Sequence, residues 1–272
     1  QRDNVTVQQG FENAGYDIVN ADFVNQMHEL WTANGGGTSQ GWGFKWVNEP
    51  VYEKTEGAAD QIKAAAEQTD TAIYVIARNS GEGSDRSSGK GDYLLSDDER
   101  ANLELLGKTF DNVVVVLNVG GIIDTKFFDQ TEGLDYMLLM SQAGMNGGRA
   151  LVQILNGEVN PSGHLADTYA YDLTTAPSYY NFGDYTYSNF DGNNKYVYYQ
   201  EGIYVGYRYY ETAAADGYID YDTTVQFPFG YGLSYTNFDW EVEKTELGDI
   251  GGTINIDVKV TNTGDVAGKD VV

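Results

Sequence analysis

Apolar residues change their spacing twice along the chain. Residues 57–68 (GAADQIKAAAEQ) are rich in helix formers. Residues 71–77 (TAIYVIA) then form a short continuous apolar run, the pattern of a strand buried in a parallel sheet. A polar, Gly-rich loop from Arg78 to Leu95 follows. Ser96-Asp97-Asp98-Glu99 reads as a capping box that opens a helix through about Phe110, with Leu103 and Leu106 on one face. Residues 113–118 (VVVVLN) predict a second buried strand, 135–140 (DYMLLM) a third, and Gly148 to Asn156 another helix. Strand, helix, strand, strand, helix is the rhythm of an α/β domain with a mostly parallel sheet. In such sheets ligands sit beyond the carboxyl ends of the strands, where the loop from Arg78 to Leu95 falls.

From about residue 157 Gly, Pro, Asn and Tyr dominate. Residues 181–194 predict an exposed loop; 202–210 (GIYVGYRYY) and 226–235 (QFPFGYGLSY) predict aromatic-rich extended segments. Past Phe238 the spacing changes again. In 253–261 (TINIDVKVT) Ile254, Ile256, Val258 and Val260 alternate with polar residues, which predicts a half-buried antiparallel strand. Asn262-Thr263-Gly264-Asp265 supplies a turn. The sequence is expected to be cut short at Val272, because one or two strands cannot close a β-sandwich.

Composition narrows the function classes. Net charge is −25, from 41 acidic and 16 basic residues, and the sequence offers no basic patch to neutralise a phosphate backbone, so nucleic acid and anionic membrane surfaces are disfavoured. An acidic surface fits a neutral substrate better than an anionic one. The absence of cysteine excludes disulfides and thiolate metal sites and leaves the compartment open. His28 and His164 do not form a metal-ligand spacing, so no metal is expected. No apolar run of about 18 residues predicts a transmembrane helix, and the opening Gln1-Arg2-Asp3-Asn4 does not read as a signal peptide. Tyrosine is abundant, at 22 residues. Its flat face and hydroxyl suit sugar rings and protein interfaces, but strands favour it as well.

One loop offers chemistry. In Arg78-Asn79-Ser80-Gly81-Glu82-Gly83-Ser84-Asp85-Arg86 the glycines beside Glu82 let the backbone turn sharply and keep bulk away from its carboxylate. Asp85 and Arg86 can order the loop by a charged hydrogen bond. A solvated turn of ordinary polar residues fits the same stretch. A phosphate-binding loop does not: five residues separate Gly83 from Gly89, and Lys90 is followed by Gly91 instead of a hydroxyl residue.

The segment SGEGSDRSSGKGDYLLSDDE (80–99) resembles the acid/base loop of the family-three glycoside hydrolases, the β-glucosidase and β-xylosidase group. Further matches follow in family order. VVVVLNVGGIID (113–124) is similar to the family's strand and turn. QAGMNGGRALVQILNGEVNPSGHLADT (142–168) resembles its Q-x-G-x-x-G-G helix and Asn-Pro-Ser-Gly turn. QEGIYVGYRYYET (200–212) and FPFGYGLSYTNF (227–238) resemble two late signatures. TNTGDVAGKDVV (261–272) resembles the opening of its fibronectin-type-III-like domain. His164 stands where the family usually has Lys, and Ala166 where it usually has Pro.

The resemblance implies a three-layer α/β sandwich with a mostly parallel sheet over 1–236, its first strand missing, followed by the start of a fibronectin-III-like β-sandwich over 237–272. It implies part of a retaining β-glycosidase, β-glucosidase-like, that hydrolyses terminal non-reducing β-linked sugars. Glu82 is then the general acid/base, with Asp85 and Arg86 as loop support or close to substrate. The family's nucleophile is an Asp on a (β/α)₈ barrel, which no residue here matches, so the barrel is expected in cis or as a separate chain. An oligosaccharide or aryl glycoside is the implied substrate, with no cofactor. Arg86 is expected to brace the loop, and the tyrosines of 204–210 to pack a domain junction. A non-catalytic carbohydrate-binding or scaffolding module is the alternative.

Overall fold

Two helices, α1 (Val7–Asn13) and α2 (Ala21–Ala33), precede a minimal antiparallel pairing of β1 (Ser39–Gln40) with β2 (Gly43–Phe44) and then α3 (Ala58–Ala66). The computed structural model describes residues 4–33, 39–40, 43–44, 57–78, 86–180 and 199–271. Its two compact units are Gln1–Val152 and Gln153–Val272.

The first unit is organised by a three-stranded sheet of β3 (Thr71–Arg78), β4 (Asn112–Val119) and β5 (Tyr136–Leu139), with β4 in the middle. Both pairings are parallel, and the β3–β4 register runs from Thr71 opposite Asn112 to Arg78 opposite Val119. Parallel neighbours need a crossover, supplied by α4 (Asp97–Thr109) and then by α5 (Lys126–Gln130). Val113 to Leu117 are buried without alternation, as a central strand covered on both faces requires. Ile76, Leu103, Leu106, Val113, Val115 and Phe127 form one cluster, onto which Ile62 of α3 packs. Each such buried side chain contributes about 1.5–3 kcal/mol. The α/β expectation is met, with boundaries within a residue or two of those read from the sequence.

The capping box at the start of α4 is formed: Ser96 Oγ accepts from Glu99 N at 3.0 Å, and Ser96 N donates to Glu99 Oε2 at 2.8 Å. Thr6 and Gln9 cap α1 in the same way. The next helix, α6 (Gly147–Leu155), explains the glycines of its motif. A Cβ on Gly148 would overlap the Thr6 carbonyl, and one on Gly10 would overlap the Gly148 carbonyl. The start of α1 therefore crosses the start of α6 backbone to backbone, joined by Val5 N donating to Met145 O at 2.8 Å.

The second unit contains a short antiparallel pair, β6 (Tyr169–Ala170) with β7 (Val225–Phe227), and helices α7 (Tyr207–Ala215) and α8 (Tyr221–Thr224). Helix α7 corrects the extended reading of 202–210. Gly206, at φ 56 and ψ −135, turns the chain into a helix whose last residues are Ala213, Ala214 and Ala215. Alanine is the strongest helix former, and it outweighs the strand preference of the preceding tyrosines. Residues 226–235 are extended only as far as Phe227, and a turn follows Pro228. Tyr210 is buried and lies 3.0 Å from the Thr175 hydroxyl, while Tyr207 stacks on Phe229 at 4.5 Å. The Asn-Pro-Ser-Gly turn is tied down by Asn160, whose Oδ1 accepts from Ser234 Oγ and Tyr235 N and whose amide donates to Ala267 O. His164 has Gly230 O beside Nδ1 at 2.9 Å and Asp270 beside Nε2 at 3.3 Å. Residues 181–194 lie outside the described residues.

The chain ends in an antiparallel hairpin of β8 (Phe238–Leu247) and β9 (Ile254–Asn262). The alternation is as read, but the burial is not. Ile254, Ile256 and Val260 are exposed, and only Val258 is partly covered. Period-two spacing marks a face, and burial needs a second layer against it. Among the described residues no such layer faces β9.

Candidate active site

Strand β3 ends on Arg78, a charged residue that is only 4% exposed. Its guanidinium forks onto Glu99, Nη1 to Oε1 at 2.7 Å and Nη2 to Oε2 at 2.6 Å, while its Nε donates to the main-chain oxygen of Asp92 at 2.7 Å. Glu99 is 2% exposed and lies in the first turn of α4, so one carboxylate caps the helix and neutralises the arginine. The pair's worth lies in geometry more than in net stability, because desolvating two charges offsets much of their attraction. It locks the carboxyl end of β3 to the start of α4.

The chain re-enters the described residues at Arg86, whose Nε donates to Asp92 Oδ1 at 2.6 Å and whose Nη1 donates to Ile122 O at 2.7 Å. Ser87 N donates to the other carboxylate oxygen, Oδ2, at 2.5 Å. Burial pushes the Asp92 carboxyl up, but the Ser87 amide and the Arg86 guanidinium outweigh it and hold the group below its ordinary range. Gly121 leaves room for this arrangement, since a Cβ there would stand 3.1 Å from Arg86 Nη1. Arg86 Nη2 is buried and has no hydrogen-bond partner among the described residues. Asp124, in the segment after β4, donates its amide to Tyr93 O at 2.8 Å. The loops beyond β3 and β4 are thereby joined.

Of the residues singled out from the sequence, Arg86 is described, bonded to Asp92 and to the Ile122 carbonyl. Glu82 and Asp85 lie outside the described residues. Arg78, Asp92 and Glu99 were missed as parts of the site. A charged residue closing an apolar strand is a usable signal for Arg78. The capping role of Glu99 hid its second role, and nothing in the local pattern marks Asp92. Among the described residues no cluster of His, Cys, Asp and Glu is arranged to hold a metal ion. An open polar depression lined by Glu67, Thr69, Asp70 and Asp111 lies at the amino ends of β3 and β4, the end at which ligands do not collect.

A family model for the glycosyl hydrolase family 3 C-terminal domain matches residues 8–207. The chain belongs to this family. Among its relatives is a β-glucosidase of Ruminococcus albus, 42% identical over 232 residues, a match that covers 85% of this chain and 22% of that protein. β-Glucosidase A of Butyrivibrio fibrisolvens is 37% identical over 261 residues, covering 83% of this chain and 29% of that protein. The solved structure of β-glucosidase 3B from Thermotoga neapolitana in complex with glucose superposes with a TM-score of 0.76 at 29% identity, over 98% of this chain and 35% of that one. The chain thus spans less than a third of each of these two curated relatives. Strands β8 and β9 fit the start of the fibronectin-III-like domain in this family 3 architecture.

Proposed function

We propose that this chain supplies the acid/base half of a retaining β-glycosidase, β-glucosidase-like, that releases terminal non-reducing β-linked sugars. The observation that carries the reading is the position of Glu82. It lies midway along 79–85, between two arginines that the structure ties to one aspartate at the carboxyl end of a parallel sheet. Within the family 3 domain this is the segment that resembles the acid/base loop. Residues 1–236 would form the α/β sandwich domain, and 237–272 would open the fibronectin-III-like one.

The chemistry needs two carboxyl groups about 5–5.5 Å apart. An Asp on a (β/α)₈ barrel, in cis or as a separate chain, attacks the anomeric carbon while Glu82 passes its proton to the departing oxygen. Glu82, now a carboxylate, takes a proton from the water that opens the glycosyl–enzyme bond. Arg86 braces the loop, and Asp85 is the second carboxylate to test. No cofactor takes part in this scheme.

In the full-length protein, Glu82→Ala is expected to cut kcat/KM by about 10²–10⁴-fold on substrates with poor leaving groups and to leave activated aryl glycosides nearly unchanged. Azide should raise kcat on the activated substrate by occupying the vacated space. Equal rates for wild type and variant on a poor leaving group would remove Glu82 from the mechanism. The competing reading is a glycan-binding or scaffolding module. Titration of the isolated chain with β-linked oligosaccharides decides for it if saturable binding appears without a barrel.

A further inference from the structure

We propose, resting on the glycosidase reading above, that the Gln142 carboxamide is a contact for the departing sugar of the substrate, presented at the carboxyl end of the sheet. The pairing of β5 continues one residue beyond the strand, with Met140 N donating to Leu117 O at 2.9 Å. The next residue, Ser141, stands at φ 52 and is the one left-handed residue other than glycine among the described residues. After this turn Gln142 lies against Gly120, the first residue past β4. A Cβ on Gly120 would stand 2.9–3.0 Å from Cδ, Nε2 and Oε1 of Gln142. The three amide atoms are almost equally close, so the group lies face-on to the glycine. Beside it Gly121 clears the same kind of space for Arg86, whose Nη1 a Cβ there would meet at 3.1 Å.

Three features mark this amide as presented instead of packed. Gln142 is exposed and makes no hydrogen bond among the described residues. A left-handed serine is sparsely populated backbone that persists only where its surroundings over-determine it, and such residues cluster at ligand sites. The place is the carboxyl end of the central strand of a parallel sheet, where ligands collect. The chemistry fits a sugar. A carboxamide offers two N–H donors and a carbonyl acceptor in one plane. Neighbouring hydroxyls of a pyranose ring, each both donor and acceptor, can meet that plane in pairs. In the glycosidase reading this domain protonates the departing oxygen, so the sugar that borders it is the one that leaves.

The test compares wild type, Gln142→Ala and Gly120→Ala in the full-length protein. KM and kcat are measured on a β-linked glucose disaccharide and on a dinitrophenyl β-glucoside, whose leaving group carries no sugar. Gln142→Ala is expected to raise the disaccharide KM by about 10-fold, the loss of one or two hydrogen bonds, with kcat and both dinitrophenyl constants as in wild type. Gly120 is outside the left-handed region, so alanine suits its backbone and displaces only the flexible end of Gln142. The same rise in KM is expected there with the amide still present. Denaturation midpoints equal to that of wild type separate a contact from a structural support. An unchanged disaccharide KM in Gln142→Ala overturns the proposal, as does a KM that rises equally on both substrates. So does a Gly120→Ala variant that keeps the wild-type disaccharide KM. Should Gly120→Ala not fold, Gln142→Leu keeps the bulk, loses the hydrogen bonds, and is expected to give the same rise. Glu82→Ala is assayed on the same two substrates. If it shows leaving-group dependence and Gln142→Ala shows no split, this inference fails alone; if it shows none, the acid/base reading fails first.

Discussion

At the carboxyl end of β3, Arg78 and Glu99 are 4% and 2% exposed, whereas in the β8–β9 hairpin Ile254 and Ile256 are 62% and 56% exposed. Charge is inside in one region and apolar surface is outside in the other. The difference separates a residue's own preference from the surroundings that decide its burial. The arginine and glutamate are buried because every direction they offer is met: a fork between them, the Asp92 and Ala77 oxygens, and the Ser96 amide. The isoleucines are exposed because a two-stranded ribbon has one apolar face and nothing described lies against it.

Removing half of the buried pair gives the largest effect on stability. Glu99→Ala leaves the Arg78 guanidinium buried without its counter-charge and strips the cap from α4. The expected cost is about 3–5 kcal/mol in denaturant unfolding. A loss below ~1 kcal/mol, the range of exposed pairs, would show that water reaches the site and would erase the contrast with the hairpin.

That same pair shows where sequence reasoning reached and where it stopped. The apolar runs of β3 and β4 and the Ser96 box of α4 are local signals, and the structure repeats them within a residue or two. Helix α7 was misread because three of its first four residues are tyrosines, while its deciding features lie at its two ends, Gly206 and the terminal alanines. The Arg78–Glu99 and Arg86–Asp92 contacts join residues that pattern cannot pair, since charge spacing in a loop carries no period. For β9 the alternation was legible and its burial was not, because burial belongs to the opposing layer.

Acid titration sharpens the comparison from the charged side with a smaller effect. The Asp92 carboxyl is held below its ordinary value of 3.8, so the folded chain binds this proton less readily than the unfolded chain does. Its stabilising contribution is therefore complete above that value and lost as pH falls through the lower folded-state value. Unfolding midpoints of wild type and Asp92→Asn, followed from about pH 5 to about pH 2, are expected to converge toward acid. A gap that stays constant over that range would mean that the carboxylate charge does not hold the loop.

The smallest expected effect tests the other region. Ile256→Thr in the 272-residue chain replaces an exposed aliphatic group with a residue that strands tolerate equally well, so stability should change by no more than about 0.5 kcal/mol. The measurement is the denaturation midpoint of the chain by itself. A loss of ~1.5 kcal/mol or more, the amount expected for a buried isoleucine, would mean that something packs on this face of β9. The hairpin would then obey the same rule as the arginine site, with every face met by a partner.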